Sequence, residues 1–231
     1  MLAAAALVLV FAACSSSGGS SAPTTLAPTT AVPPTTVVPP KVTQTPVTAK
    51  GGKVVGSFTA VDGTGAGITP LPAGVGSTAI VHATYNGIDT FVVRAVDAQG
   101  RQLAVLAHSR GSYDGTFPVG FVNRKGTPVA GLEVDTTGPW HLDIAKPTLA
   151  PELTGSGVSG RGDAVLVYRG PGVKAHITYP GTSGFAIATY AHGAVTMLVS
   201  TVGPYHADIQ LPAGPAFISV TAAGVWSMTL G

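Results

Sequence analysis

The chain has 231 residues, 12 Lys plus Arg against 10 Asp plus Glu, and one cysteine, Cys14. A single thiol excludes an intrachain disulfide framework and a Cys-rich zinc site, and the scattered, nearly balanced charge leaves no basic footprint for nucleic acid. With 31 Gly, 19 Pro and only 10% charged residues, long helices are disfavoured, and strands, turns and linkers are expected.

The first element is "LAAAALVLVFAA", an apolar run over residues 2–13. It is shorter than the roughly 20 residues a membrane-spanning helix requires, and it suits the apolar region of a secretory signal. Phe11-Ala12-Ala13-Cys14 resembles the lipobox of bacterial lipoproteins. That resemblance implies a diacylglycerol on the Cys14 thiol and cleavage of residues 1–13 just before it. Phe11 departs from the usual Leu or Val, and no Lys or Arg stands near Met1, which leaves the true start codon open. Two acyl chains suffice for stable anchoring, since each buried CH₂ contributes about 0.8 kcal/mol. The expected location is therefore the cell membrane, lipid-anchored, with the rest of the chain on the extracytoplasmic side.

Residues 14–50 read as a tether. "APTTLAPTTAVPPTTVVPP", residues 22–40, holds six Pro and six Thr in nineteen positions. Proline at this density prevents helix and sheet and leaves an extended spacer. Its Thr-Pro composition is also that of O-glycosylated stalks.

Alternating apolar residues begin after Lys50, and they come in two related sets. "IVHATYNGIDTFVVRAVDAQG" (80–100) and "KAHITYPGTSGFAIATYAHG" (174–193) share His-x-Thr-Tyr-x-Gly, with Phe six residues after the Tyr. Gly-x-Tyr recurs at Tyr113 and Tyr205, and Gly-x-Trp at Trp140 and Trp226. The pairs Tyr85/Tyr179, Phe91/Phe185, Tyr113/Tyr205 and Trp140/Trp226 make up eight of the fifteen aromatics. This ordered recurrence predicts a duplication, with copies at 54–146 and 150–231. Short alternating runs such as "TAIVHATY", "TFVVRAV" and "WHLDI" are separated by turn signals at Asn86-Gly87, Gln99-Gly100, Pro180-Gly181 and Ala213-Gly214. They predict an all-β chain of two tandem antiparallel β-sandwich, jelly-roll-like domains. Trp140, Leu142 and Ile144 share one strand face, as do Trp226, Met228 and Leu230, and those faces are the expected cores.

The Tyr–Gly–Phe, Gly-x-Tyr and Gly-x-Trp landmarks resemble a secreted β-sandwich repeat of actinobacterial-type surface lipoproteins. More loosely, they resemble the bacterial pre-peptidase C-terminal domains. The resemblance spans nearly everything after residue 55. It implies non-catalytic domains linked to secretion, substrate adhesion or calcium, although the acid-rich loops that calcium would use are missing here.

Several apparent chemical motifs have plainer readings. "GSGVSG" (155–160) has the glycine spacing of a dinucleotide loop, but the strand-like "RGDAVLVY" follows where a helix is needed. It reads as a turn, with "GTGAGI" as its counterpart in the first copy. Arg161-Gly162-Asp163 spells the integrin-recognition tripeptide, which turn chemistry before a strand also explains. The histidines His82, His108, His141, His176, His192 and His206 include no His-x-His or His-x-x-x-His pair, and no metal or other cofactor is expected. Glu133 and Asp135 share a strand face, but Ser219 and Thr221 replace them in the second copy, so they read as a solvated face. No Ser sits in Gly-x-Ser-x-Gly, and no catalytic residues are assigned.

The expectation is a lipid-anchored surface protein with non-catalytic binding or adhesion domains. Two alternatives stand beside it. One is binding of cell-wall glycan, for which Tyr168 and Tyr190 are the aromatic candidates outside the repeated set. The other is a structural or accessory subunit of an envelope complex. The partners implied are the membrane, through the anchor, and an envelope protein or glycan.

Overall fold

The structure is a computed structural model that describes residues 57–121 and 126–231. The assigned signal (1–13) and tether (14–50), with Cys14, lie outside the described residues. Among the described residues, sixteen strands form two eight-stranded sandwiches within one compact unit. In the first they are β1 (Thr59–Thr64), β2 (Gly67–Pro70), β3 (Ala79–Tyr85), β4 (Thr90–Val96), β5 (Gln102–Arg110), β6 (Tyr113–Val119), β7 (Gly131–Asp135) and β8 (Pro139–Ala145). A 3₁₀ turn over Pro147–Leu149 leads to the second. Its strands are β9 (Val158–Arg161), β10 (Ala164–Tyr168), β11 (Val173–Tyr179), β12 (Gly184–Ala191), β13 (Ala194–Val202), β14 (Tyr205–Leu211), β15 (Ala216–Ala222) and β16 (Val225–Leu230).

The sheet orders are β1-β8-β3-β6 and β2-β7-β4-β5 in the first sandwich, and β9-β16-β11-β14 and β10-β15-β12-β13 in the second. Adding eight to each strand of the first half gives the second. All strand pairs within these sheets are antiparallel, and eight strands in two four-stranded sheets is the jelly-roll arrangement. The four expected turns all fall between strands. A fifth, His192-Gly193, joins β12 to β13 with positive φ at both residues, 52° and 75°, as a two-residue type I′ hairpin demands.

Alternation within each strand decides what lies inside. On β3, Val81, Ala83 and Tyr85 point inward, while His82 and Thr84 reach the outer face. The repeated aromatics fill both interiors. Tyr85 stacks on Phe91 at 5.1 Å and Tyr179 on Phe185 at 4.5 Å, with Tyr113 and Tyr205 tilted against the same phenylalanines. These separations lie in the favourable aromatic range. Each Tyr-x-Gly has a steric reason as well. A Cβ at Gly87 or Gly181 would run into the Tyr85 or Tyr179 ring.

Trp140 and Trp226 are 8% and 3% exposed, so both belong to the cores. Each lies across a glycine of the adjoining strand, Trp140 beside Gly63 and Trp226 beside Gly160. A Cβ at either glycine would enter the indole. The indole N–H groups donate to the Gly65 and Gly162 carbonyls, both at 2.9 Å. This corrects the expected correspondence of the glycine-rich segments. Gly63 and Gly65 match Gly160 and Gly162, and "GSGVSG" is a turn at 155–156 running into β9.

Replacing Trp140 or Trp226 by Ala should cost about 3–5 kcal/mol, the usual penalty for a large buried aromatic. Chemical denaturation of each variant against the wild type measures it. Unchanged stability in both would mean that the rings do not close the cores.

Candidate functional site: the cleft between the sandwiches

The two sandwiches meet through residues that differ between the halves. Ile80 and Ala145, paired on the outer face of β3 and β8, pack with Val165 and Val167 of β10 and with Ala150. Phe58, Phe121, Leu149 and Phe217 surround them. Phe121 meets Phe217 edge-on at 4.7 Å and Tyr190 at 5.5 Å. The linker also pairs with β10, through Val167 N–H to the Pro151 carbonyl (2.9 Å) and Leu153 N–H to the Val167 carbonyl (2.8 Å).

Beside this apolar contact the β6 backbone touches the turn before β10. Thr116 N–H donates to the Asp163 carbonyl at 2.8 Å. Gly162 has a φ of +74°, and a Cβ there would lie 2.6 Å from the Asp114 carbonyl. Only glycine fits both the left-handed backbone and the close approach. The Asp163 carboxylate then accepts from the Tyr113 hydroxyl at 2.7 Å and from the Ala222 N–H at 2.9 Å. Burial pushes the Asp163 carboxyl above the usual range, while its two hydrogen bonds pull against that shift. Burial, the Asp163 charge and their shared hydrogen bond drive the Tyr113 hydroxyl far above the ordinary tyrosine range. Tyr113 is therefore a fixed donor and not a base.

A cleft of about 530 Å³ opens over this pair, within the roughly 300–1,000 Å³ common for ligand sites. One wall is Val105–Ser109 of β5, and the other includes Arg161, Gly162, Gly184 and Thr221. A smaller recess of about 200 Å³ adjoins it, sharing Val105, Leu106, Asp163 and Thr221 and reaching Tyr190 and Ser219.

Of the two aromatic candidates, the structure brings only Tyr190 to this site. It is half-buried in the recess, and burial raises its hydroxyl against a hydrogen bond with Ser219. Tyr168 is corrected. It is 4% exposed within the second core, and its hydroxyl donates to the Pro171 carbonyl at 2.6 Å. Its ring covers Gly170, where a Cβ would collide with it, so Tyr168 locks a corner and offers no platform to a sugar. Among the described aromatics none is exposed.

The remaining sequence motifs fall elsewhere or serve the seam. Arg161-Gly162-Asp163 sits at the seam with its carboxylate engaged, so the tripeptide is not presented as a free loop. Glu133 and Asp135 flank Arg94, at 3.9 and 3.2 Å, on an outer face. His108 lines the cleft. His82 bonds Asp114 at 2.8 Å, and His176 bonds Asp208 at 2.9 Å. His206 stands edge-on to His176 at 4.4 Å. His141 lies between Asp62 (2.7 Å) and Asp143 (3.2 Å). Partial burial pulls its pKa down, but the hydrogen bonds and charges of the two carboxylates raise it overall. Sequence reasoning missed Val105, Tyr113 and Asp163 as site residues. Only the adjacency of β5 and β6 to the turn before β10 assembles them.

No family model matches this chain, and no curated protein matches it. Among solved structures, it is similar to a conserved protein of unknown function from Pseudomonas aeruginosa. The two are 13% identical, with a TM-score of 0.24, over 75% of this chain and 81% of the other. A likeness that weak says nothing about this chain's chemistry.

The two titrating sites predict pH trends of the same sign over different ranges. Asp163 has a raised folded pKa, so its contribution is most favourable at low pH and is lost as pH rises from the ordinary carboxyl range through that value. Wild type should lose stability relative to Asp163→Asn over that window. His141, also raised, contributes fully below the ordinary histidine pKa and loses its contribution as pH rises through its folded value. The advantage of wild type over His141→Gln should fade there. Melting temperatures of the three proteins across pH check both signs.

Proposed function

We propose that this is a lipid-anchored cell-surface protein whose two jelly-roll domains are copies of one non-catalytic binding or adhesion unit. Anchoring rests on Phe11-Ala12-Ala13-Cys14 and the Pro/Thr-rich segment that follows it. The copy relation is supported by the identical strand orders of the two halves and by their matching Trp–Gly and Tyr–Phe pairs. The observation that carries the binding role is the open cleft at the seam, beside the exposed apolar edge of β5. Binding to cell-wall glycan finds less support, because stacking on a sugar ring needs an accessible aromatic face and Tyr168 is buried.

The anchor is tested by fractionating cells that express the full chain while feeding a labelled fatty acid. Wild type should carry label and sediment with membranes, and Cys14→Ser should be unlabelled and leave the membrane fraction. An unlabelled, freely soluble wild type would overturn the anchored reading.

A further inference from the structure

We infer that Asn86 is a self-modification site: without an enzyme, the turn between β3 and β4 converts to aspartate and isoaspartate, and only the first domain does so. The inference is independent of the anchor and of the binding role. The reaction needs an asparagine whose side-chain carbonyl carbon the next backbone nitrogen can reach, and a next residue with no Cβ in the way. The Gly87 nitrogen attacks Cγ of Asn86. Its proton leaves with the side-chain nitrogen as ammonia, and a cyclic succinimide closes. Water then opens the ring. Cleavage of the N–Cγ bond gives aspartate. Cleavage of the bond to the Asn86 main-chain carbonyl carbon gives isoaspartate, with the chain now running through Cγ.

Packing keeps this turn reactive. A Cβ at Gly87 would collide with the Tyr85 hydroxyl, and Tyr85 is fixed in the first core by its stack on Phe91. Gly87 has no positive φ, so close approach to the ring, not backbone freedom, demands glycine there. The core thus dictates the one neighbour that leaves an asparagine unshielded. Asn86 itself is exposed, and among the described residues no backbone bond of the turns and loops uses the Gly87 N–H. The attacking nitrogen is free, and water has access.

The second half meets the same packing demand without the reaction. Gly181 lies against the Tyr179 ring as Gly87 lies against Tyr85, but the residue before it is Pro180, which has no side-chain amide to attack. The other asparagine of the chain, Asn123, precedes Arg124, whose side chain hinders ring closure.

The products act on the first core. Either one adds a negative charge at residue 86. Isoaspartate also adds a methylene to the main chain between Tyr85 and Gly87, in a turn tied at its far end. There the Asp89 carbonyl accepts from the Gly111 N–H at 3.0 Å, and its carboxylate accepts from the Thr137 hydroxyl. The lengthened turn displaces Gly87 from the ring that it covers, and a close-packed core does not absorb such a shift freely. The first domain is therefore weakened.

The test ages the purified, detergent-solubilised full chain in mildly alkaline buffer made with heavy-oxygen water and maps its peptides by mass spectrometry. The peptide containing Asn86 should give two products, each carrying one heavy oxygen, and one of them should be a substrate for a protein-isoaspartate methyltransferase. The native chain should convert within about tenfold of the rate of the urea-unfolded chain, because an exposed turn needs no opening first. Asn86→Ser, at an exposed position and with no side-chain amide, should melt like wild type and take up no label there. Fresh Asn86→Asp carries the charge without the added methylene, and aged wild type should melt below it. Absence of label at Asn86 in the native chain, or label confined to the unfolded chain, would overturn the proposal. Aged protein that melts like Asn86→Asp would overturn the coupling to the Tyr85 core.

Discussion

Each sandwich closes where a tryptophan of its last strand lies flat across a glycine of its first. Trp140 over Gly63 and Trp226 over Gly160 join the two ends of each domain inside one sheet. In a domain of this size few residues can carry stability. The indole N–H adds a second constraint by bonding the carbonyl two residues beyond that glycine, at Gly65 or Gly162, and so fixes the turn that launches the next strand. In the second half that turn is Arg161-Gly162-Asp163. The contact that closes the second core therefore also sets Gly162 against the Asp114 carbonyl and places Asp163 beneath Tyr113. The seam and its cleft follow from packing inside the second sandwich.

With matched interiors, the halves differ where they meet. At equivalent cross-strand positions the first half carries Arg94 beside Glu133, and the second carries Ala188 beside Ser219. The charged pair faces solvent, and the small pair is buried on the side of the second sandwich that receives the first. The complementary surface shows the same divergence. Ile80 beside Ala145 is buried in the seam, whereas Lys174, on the matching strand of the second half, is exposed beside Gly231.

The ionisable groups are divided in the same manner. A carboxylate at the seam sits in a half-dry setting, where burial favours its neutral form and the Tyr113 hydroxyl opposes that. On the outer face of the first sandwich, His141 is stabilised as a cation by two carboxylates. The first weakens the folded state as pH rises, and the second weakens it over a higher range. Both keep polar chemistry in fixed hydrogen bonds.

Much of this was legible in the chain itself. Alternation with period two, turn dipeptides and the ordered recurrence of Tyr, Phe, Tyr and Trp prescribe two antiparallel sandwiches, because strand geometry sends every second side chain inward wherever the chain lies. The inward parity of Trp140 and Trp226 could be read from their apolar neighbours at the second and fourth positions. The sequence did not reveal the partner of each tryptophan, since pairing Gly63 with Trp140 spans most of a domain and glycine leaves no hydrophobic signal. Tyr168 looked free because its counterpart position in the first half is not aromatic, yet its strand buries it. Above all, the cleft joins Val105 on one sheet edge to Arg161 at the end of β9 in the other domain. Local periodicity fixes which way a side chain points, while only the packing of one finished sandwich on another decides which outer surfaces meet.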